Sequence, residues 1–240
     1  MGKIGYGYGS EWHLLRYLGY HREELSNRVL EVTGGEGITW LDFGYNQTTA
    51  PLSYDRELVG LDFIQDAEVI RSWKAFWSQT GNAQNWDAVG KINYGNNEEW
   101  LLVEAKAHLG EVVSHCGAKS EKSIAKIRLA CKKSMNVFCD RPMDVDYWLS
   151  PYYQFANRLA VLYFLMRECE PAIPANLLFI YFTGDQRKDG DCPKAEGEWQ
   201  PVIKAVEEKL GIDTSGELYQ RVEHLFIPVN PSLKDCSADL

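Results

Sequence analysis

Apolar and polar positions recur with two different periods along this chain, and the changes of period mark its elements. Residues 11–30 repeat apolar positions every three or four residues, which predicts a helix capped by Ser10 and stopped by Gly34. A short apolar run predicts a strand over 38–43, followed by a loop over 44–54. Residues 57–64 suit strand and helix equally, whereas 66–77 returns to helical spacing with Val69, Ile70, Trp73 and Trp77 on one side. Trp73, Phe76 and Trp77 read as core rather than as a platform for stacked bases. Two strand-like runs, 87–94 and 99–107, then flank Gly95, Asn96 and Asn97, a hairpin signal.

Beyond the hairpin, residues 120–138 carry an apolar stripe of Ile124, Ile127, Cys131 and Met135, with Lys119, Lys122, Lys126 and Lys133 on the opposite side. Ser150 and Pro151 suit an N-cap and a first helical residue, and the segment after them is apolar nearly all round, which predicts a buried helix. NLLFIYF, at 176–182, reads as a central parallel strand. Helices are predicted over 199–210 and 217–223, and a last strand over 224–229, where Pro228 points to an edge. This order predicts one α/β domain over 1–240, with a core of about 9–230, a tail from 231, and a mixed sheet flanked by helices on both sides.

The hairpin is where the chemistry concentrates. With a two-residue turn at Gly95-Asn96, Tyr94 faces Asn97, and the same register sets Asp87 opposite Glu104. Glu104 and Lys106 share that face, roughly 7 Å apart, while Leu101, Val103 and Ala105 point the other way with Ile92. Two carboxylates about 4 Å apart repel by roughly 4 kcal/mol at an effective dielectric near 20. Protonation or a cation relieves that, and a hard divalent ion suits oxygen ligands. Lys106 would stand beside the ion, able to orient a water or steady negative charge, which is equipment for metal-assisted hydrolysis of a phosphodiester.

An acidic residue, a hairpin, then Glu-X-Lys inside the apolar strand LLVEAKA resembles the PD-(D/E)XK nuclease superfamily, carried here by Asp87, Glu104 and Lys106. Trp86 stands where that family's motif has proline. The resemblance implies a restriction-endonuclease-like fold and a Mg²⁺- or Mn²⁺-dependent nuclease acting on DNA or RNA. Asp87, Glu104 and the carbonyl of Ala105 would hold metal, Lys106 would position the attacking water, and Glu11 on the first helix would complete the shell. Glu11 equally suits a first-turn glutamate that complements the helix dipole. Gln154 and Arg158, on the helix after the strand, are carried over as residues directed at the substrate side of the site. A homodimer suits a single-domain nuclease that cuts both strands.

Further candidates come from position alone. Lys122 and Lys126 belong to the one basic stripe and would guide phosphates. Gln84 and Trp86 lead into the hairpin and are candidate substrate contacts, and His108 or Glu111 would stand behind the metal ligands. The net charge of −9 excludes a general DNA binder held by a basic surface. It favours, as the alternative, a catalytically silent nuclease-fold binding or regulatory module; a hydrolase of small phosphorylated molecules is a third reading. The six scattered cysteines suit reduced thiols. No apolar run approaches a membrane span and MGKIGYGYGSEW lacks a signal peptide's apolar stretch, so the expected location is the cytoplasm with no membrane partner.

Overall fold

A computed structural model describes residues 8–41, 58–79, 84–186 and 191–230. Five strands form one mixed sheet in the order β1 (Gly37–Trp40), β4 (Ala88–Tyr94), β5 (Asn97–Lys106), β6 (Ala175–Thr183) and β7 (Val222–Pro228). A separate two-stranded ladder joins β2 (Leu58–Val59) to β3 (Asn85–Trp86). β1, β4 and β5 run antiparallel, whereas β6 is parallel to both β5 and β7. The hairpin register is the expected one, Tyr94 opposite Asn97 and Ala88 opposite Val103. Gly95 has φ +62° and no non-glycine residue among the described ones has positive φ, so the turn has the type II′ pattern that glycine at its first position allows.

Helices cover both faces. α1 (Ser10–Tyr20) and α2 (Arg22–Thr33) pack on the face that carries Ile92, Leu101, Val103 and Ala105. On the other face lie α3 (Ala67–Phe76), α4 (Glu121–Phe138), α5 (Asp146–Leu149), α6 (Tyr153–Tyr163) and α7 (Glu196–Leu210), around a core that includes Trp86, Trp148, Phe179 and Trp199. Trp73 and Trp77 are buried there, as predicted. No helix among the described residues is long and apolar enough to cross a membrane.

Several boundaries depart from the pattern, each for a local reason. The single helix predicted over 11–30 is two, because His21 adopts φ −128° and the Arg22 side chain takes the Leu18 carbonyl at 2.8 Å, interrupting the helical ladder. Ser10 lies inside α1 rather than at its cap; Asp185, at the end of β6, anchors that terminus instead by accepting the Gly9 N–H at 2.8 Å and pairing with His13 at 3.1 Å. Ser150 and Pro151 do not start a helix: α6 begins at Tyr153, and Ser150 Oγ bonds His115 Nδ1 at 2.8 Å. The helix predicted over 217–223 is one 3₁₀ turn, since Val222 and Glu223 pair with Leu177 and Leu178 in the sheet. Residues 42–43 of the first predicted strand, all of the loop after it and the tail from 231 lie outside the described residues.

Phe155, Phe179, Tyr181 and His224 form a stacked aromatic ladder under α6 and α7, with ring centroids 4.4 to 6.5 Å apart. Burial pushes the His224 imidazole down from 6.5 to about 4. Between those two pH values the unfolded chain binds a proton that the folded ring refuses, so stability falls as pH falls through that window, by about 3 kcal/mol at most. A His224→Phe chain should lose correspondingly less stability between pH 7 and pH 4 in urea denaturation. Equal losses for the two chains would contradict this assignment.

Candidate active site

At Asp87 the polypeptide leaves the sheet: Asn85 and Trp86 pair with β2, while Ala88 pairs with Val103. The Asp87 N–H still donates to the Val103 carbonyl at 3.2 Å, so Asp87 and Ala88 together face one residue of β5, the signature of a bulge. The carboxylate then takes over the vacated ladder position, its Oδ2 accepting the Ala105 N–H at 2.7 Å. Because N–H and C=O of one strand residue point to the same edge, the Ala105 carbonyl faces this side too. Glu111 repeats the device one step along, accepting the Ala107 N–H at 2.6 Å and the His108 imidazole at 3.1 Å.

Glu104 is 2% exposed and both of its oxygens are engaged. Oε1 accepts from Lys106 Nζ, and Oε2 accepts from Arg158 Nε at 2.8 Å and Nη2 at 2.6 Å. Gln154 Oε1 holds the same lysine at 2.8 Å. Arg158 is fixed in turn by the Asn157 side chain at 2.7 Å, by the Asn85 carbonyl at 2.6 Å, and by the Trp86 ring, 4.6 Å from the guanidinium carbon. The one-turn offset of Gln154 and Arg158 on α6 sets both over the Glu104–Lys106 face. Gln154 and Arg158, on a helix that is mostly buried, are thereby satisfied by the two ionic residues in the buried half of β5.

The two carboxylates differ sharply in proton affinity. Burial, and then the nearby Glu104 charge, raise Asp87 to about 7, against the opposing influence of Lys106, the Ala105 N–H and Arg158. For Glu104, burial alone would also raise the pKa, but Arg158 and Lys106 outweigh it and hold the group below its ordinary value. Glu104 is therefore the ionised member of the pair and Asp87 the one that shares its charge with a proton near neutrality.

Asp87 opens on a cleft of about 990 Å³ whose walls include Gln84, Lys119, Ser120, Gln154 and Arg158. Of the residues singled out in the sequence, Asp87, Gln154 and Arg158 line this cleft, whereas Glu104 and Lys106, tied to it through Arg158 and Gln154, line a small apolar pocket with Phe155, Phe179 and Tyr181. The fold does not bring Glu11 to either; it lines a different pocket with Tyr8, Trp12 and Glu111, on a helix that packs against the opposite face of the sheet. Lys126 is committed to the Lys74 carbonyl at 2.6 Å, and neither it nor Lys122 lines the cleft. Trp86 is fully buried and supports Arg158, with its indole N–H on the Gly60 carbonyl at 2.8 Å, so it is not a surface for substrate. Of the basic stripe, Lys119 is the member that lines the cleft, just ahead of the Ser120 N-cap; Asn157, also in the lining, is a cleft residue to which sequence reasoning assigned no role.

Among the described residues no three His, Cys, Asp or Glu side chains converge as a metal-holding group. Asp87 meets the Ala105 N–H and feels the Glu104 charge, while the Glu104 oxygens themselves meet Lys106 and Arg158. Comparison with protein-family models, with curated proteins and with solved structures finds no match to this chain.

Proposed function

We propose that this chain is a divalent-metal-dependent nuclease of the restriction-endonuclease-like kind, hydrolysing a phosphodiester bond over Asp87, Glu104 and Lys106. The observation that carries the reading is that Asp87 lines an open cleft together with Gln154 and Arg158, which hold Lys106 and Glu104 behind it; burial and the Glu104 charge raise the proton affinity of Asp87 there. Such a pair of carboxylates is relieved by a cation. The donor set suits Mg²⁺ or Mn²⁺: magnesium keeps most of its waters and is held by one or two carboxylates together with substrate phosphate, and a carboxylate oxygen that already accepts a hydrogen bond retains a further lone pair. Asp87 and Glu104 would hold the ion, with the Ala105 carbonyl beside them. When bound, it supplies Lewis acidity, lowering the pKa of water and offsetting charge on the phosphoryl oxygens.

The chain's own groups do the rest. Lys106, steered by Gln154 and Glu104, presents a fixed positive charge where negative charge develops on the phosphate, and its one remaining N–H orients the attacking water. Arg158 keeps Glu104 ionised and stops it from rotating out of the site. Asp87 would hold a cation only in its ionised form, so metal binding should tighten as pH rises through 7.

One feature favours the alternative, a silent binding or regulatory module: Glu104 already has a cation on each oxygen, and no third acidic residue joins it among the described residues. Calorimetric titration with Mg²⁺ and Mn²⁺, followed by assays on single- and double-stranded DNA and RNA, separates the two. Cleavage that requires the metal and disappears in EDTA supports the nuclease; metal binding with every polymer left intact supports the module.

A further inference from the structure

One wall of the cleft carries chemistry that the proposed reaction does not use. Gln84 lines it with 4% of its surface exposed, and neither its Nε2 nor its Oε1 has a hydrogen-bond partner among the described residues. Native interiors pair nearly all such groups, and an amide orphaned at both ends calls for a partner from outside the chain. The same cleft is met by the N-terminus of α4. Ser120 Oγ caps the Ser123 N–H at 3.1 Å, and the Ser120 carbonyl takes the Ile124 N–H. The N–H groups of Glu121 and Lys122 have no partner within the helix, as for any first turn. Lys119 lines the cleft just ahead of them. A helix mouth with a lysine suits a phosphate, and an amide with a free donor and a free acceptor matches the edge of a nucleobase.

We infer that this wall is a second subsite, which holds a phosphate that is not cut and reads the base next to it. Lys119 and the first turn of α4 receive the phosphate; Gln84 pairs with the base edge. The inference rests on the nuclease reading for the identity of the ligand and adds its form: a single strand. An unpaired base can be turned into a buried amide, whereas a duplex offers its edges only within grooves. A chain of net charge −9 with one lysine at this wall also neutralises few phosphates.

The test is fluorescence anisotropy of a labelled single-stranded DNA 12-mer with the full chain in EDTA, over a series of salt concentrations. Gln84→Leu should weaken binding about tenfold while raising Tm by a few degrees, since it removes the unpaired amide. Gln84→Glu should weaken binding by placing a charge against the strand. Lys119→Glu should weaken it and flatten the logarithmic salt slope by about 0.7, one phosphate's worth on a single strand. Lys204→Glu, on the solvent side of α7, serves as the control and should bind like the parent. Parent-like binding by the Gln84 and Lys119 variants overturns the subsite, as does a loss of Tm in Gln84→Leu with affinity intact. Failure to bind the oligonucleotide, or equal affinity for the matching duplex, also overturns it. Variant-sensitive binding without metal-dependent cleavage leaves the subsite standing and removes the nuclease reading alone.

Discussion

Replacing Arg158 with methionine should destabilise the chain by about 3–5 kcal/mol, the usual cost of leaving one member of a buried ion pair behind. Arg158 is 3% exposed and its guanidinium satisfies Glu104, the Asn157 side chain and the Asn85 carbonyl together. Without it, Glu104 keeps only Lys106 in a site lined by Phe155, Phe179 and Tyr181. The Glu104→Gln, Arg158→Met double variant removes the stranded charge and should recover a good part of the loss, so the two substitutions will not add. Urea denaturation of the parent, both single variants and the double variant closes the cycle. A single-variant loss under about 1 kcal/mol, the range of exposed ion pairs, would mean that water reaches Glu104 and that the pair does not hold the site together.

Asp87→Asn should move stability and activity in opposite directions. A carboxyl whose pKa is about 7 in the folded chain and near 3.8 when unfolded binds more proton in the native state between those values. Stability therefore falls as pH rises through that window, by a total on the order of 4 kcal/mol once the group is fully ionised. Asparagine does not titrate and its amide oxygen can still accept the Ala105 N–H. In EDTA the variant should thus match the parent near pH 4 and exceed it by a few kcal/mol at pH 8. The same change removes a ligand charge, and metal-dependent cleavage should drop by about a thousandfold or more, the equivalent of roughly 4 kcal/mol of transition-state stabilisation. Parent-level cutting by Asp87→Asn would end the catalytic assignment. Parallel pH profiles would show that Asp87 is solvated in the folded chain.

How far the site was legible depended on the range of the interaction that made it. The hairpin register follows from a two-residue turn and the period-two pattern, both local, and it holds from Tyr94–Asn97 to Ala88–Val103; the next expected pair, Asp87 with Glu104, does not form, because Asp87 bulges out and shares Val103 with Ala88. The assignment of Gln154 and Arg158 to the site came from the resemblance; the need of polar groups on a buried helix for partners pointed the same way, and those partners proved to be Lys106 and Glu104. Glu11 was misplaced because a first-turn glutamate looks the same whether its helix packs on one face of a sheet or on the other. Lys122 and Lys126 were misplaced because a charged stripe does not record which of its members lies at the helix mouth.

The sequence by itself determined the α/β class, most of the elements, the hairpin register and the face shared by Glu104 and Lys106, all consequences of side-chain periods and turn chemistry within about twenty residues. Only the tertiary structure decided that β3 breaks away at Asp87, that Arg158 rather than a second acid meets Glu104, and that Gln84 is sealed in a wall without a partner among the described residues. Those outcomes depend on which helix lies against which strand, and on burial, which sets the strength of every charge in the site; neither is a property of neighbouring residues in the chain.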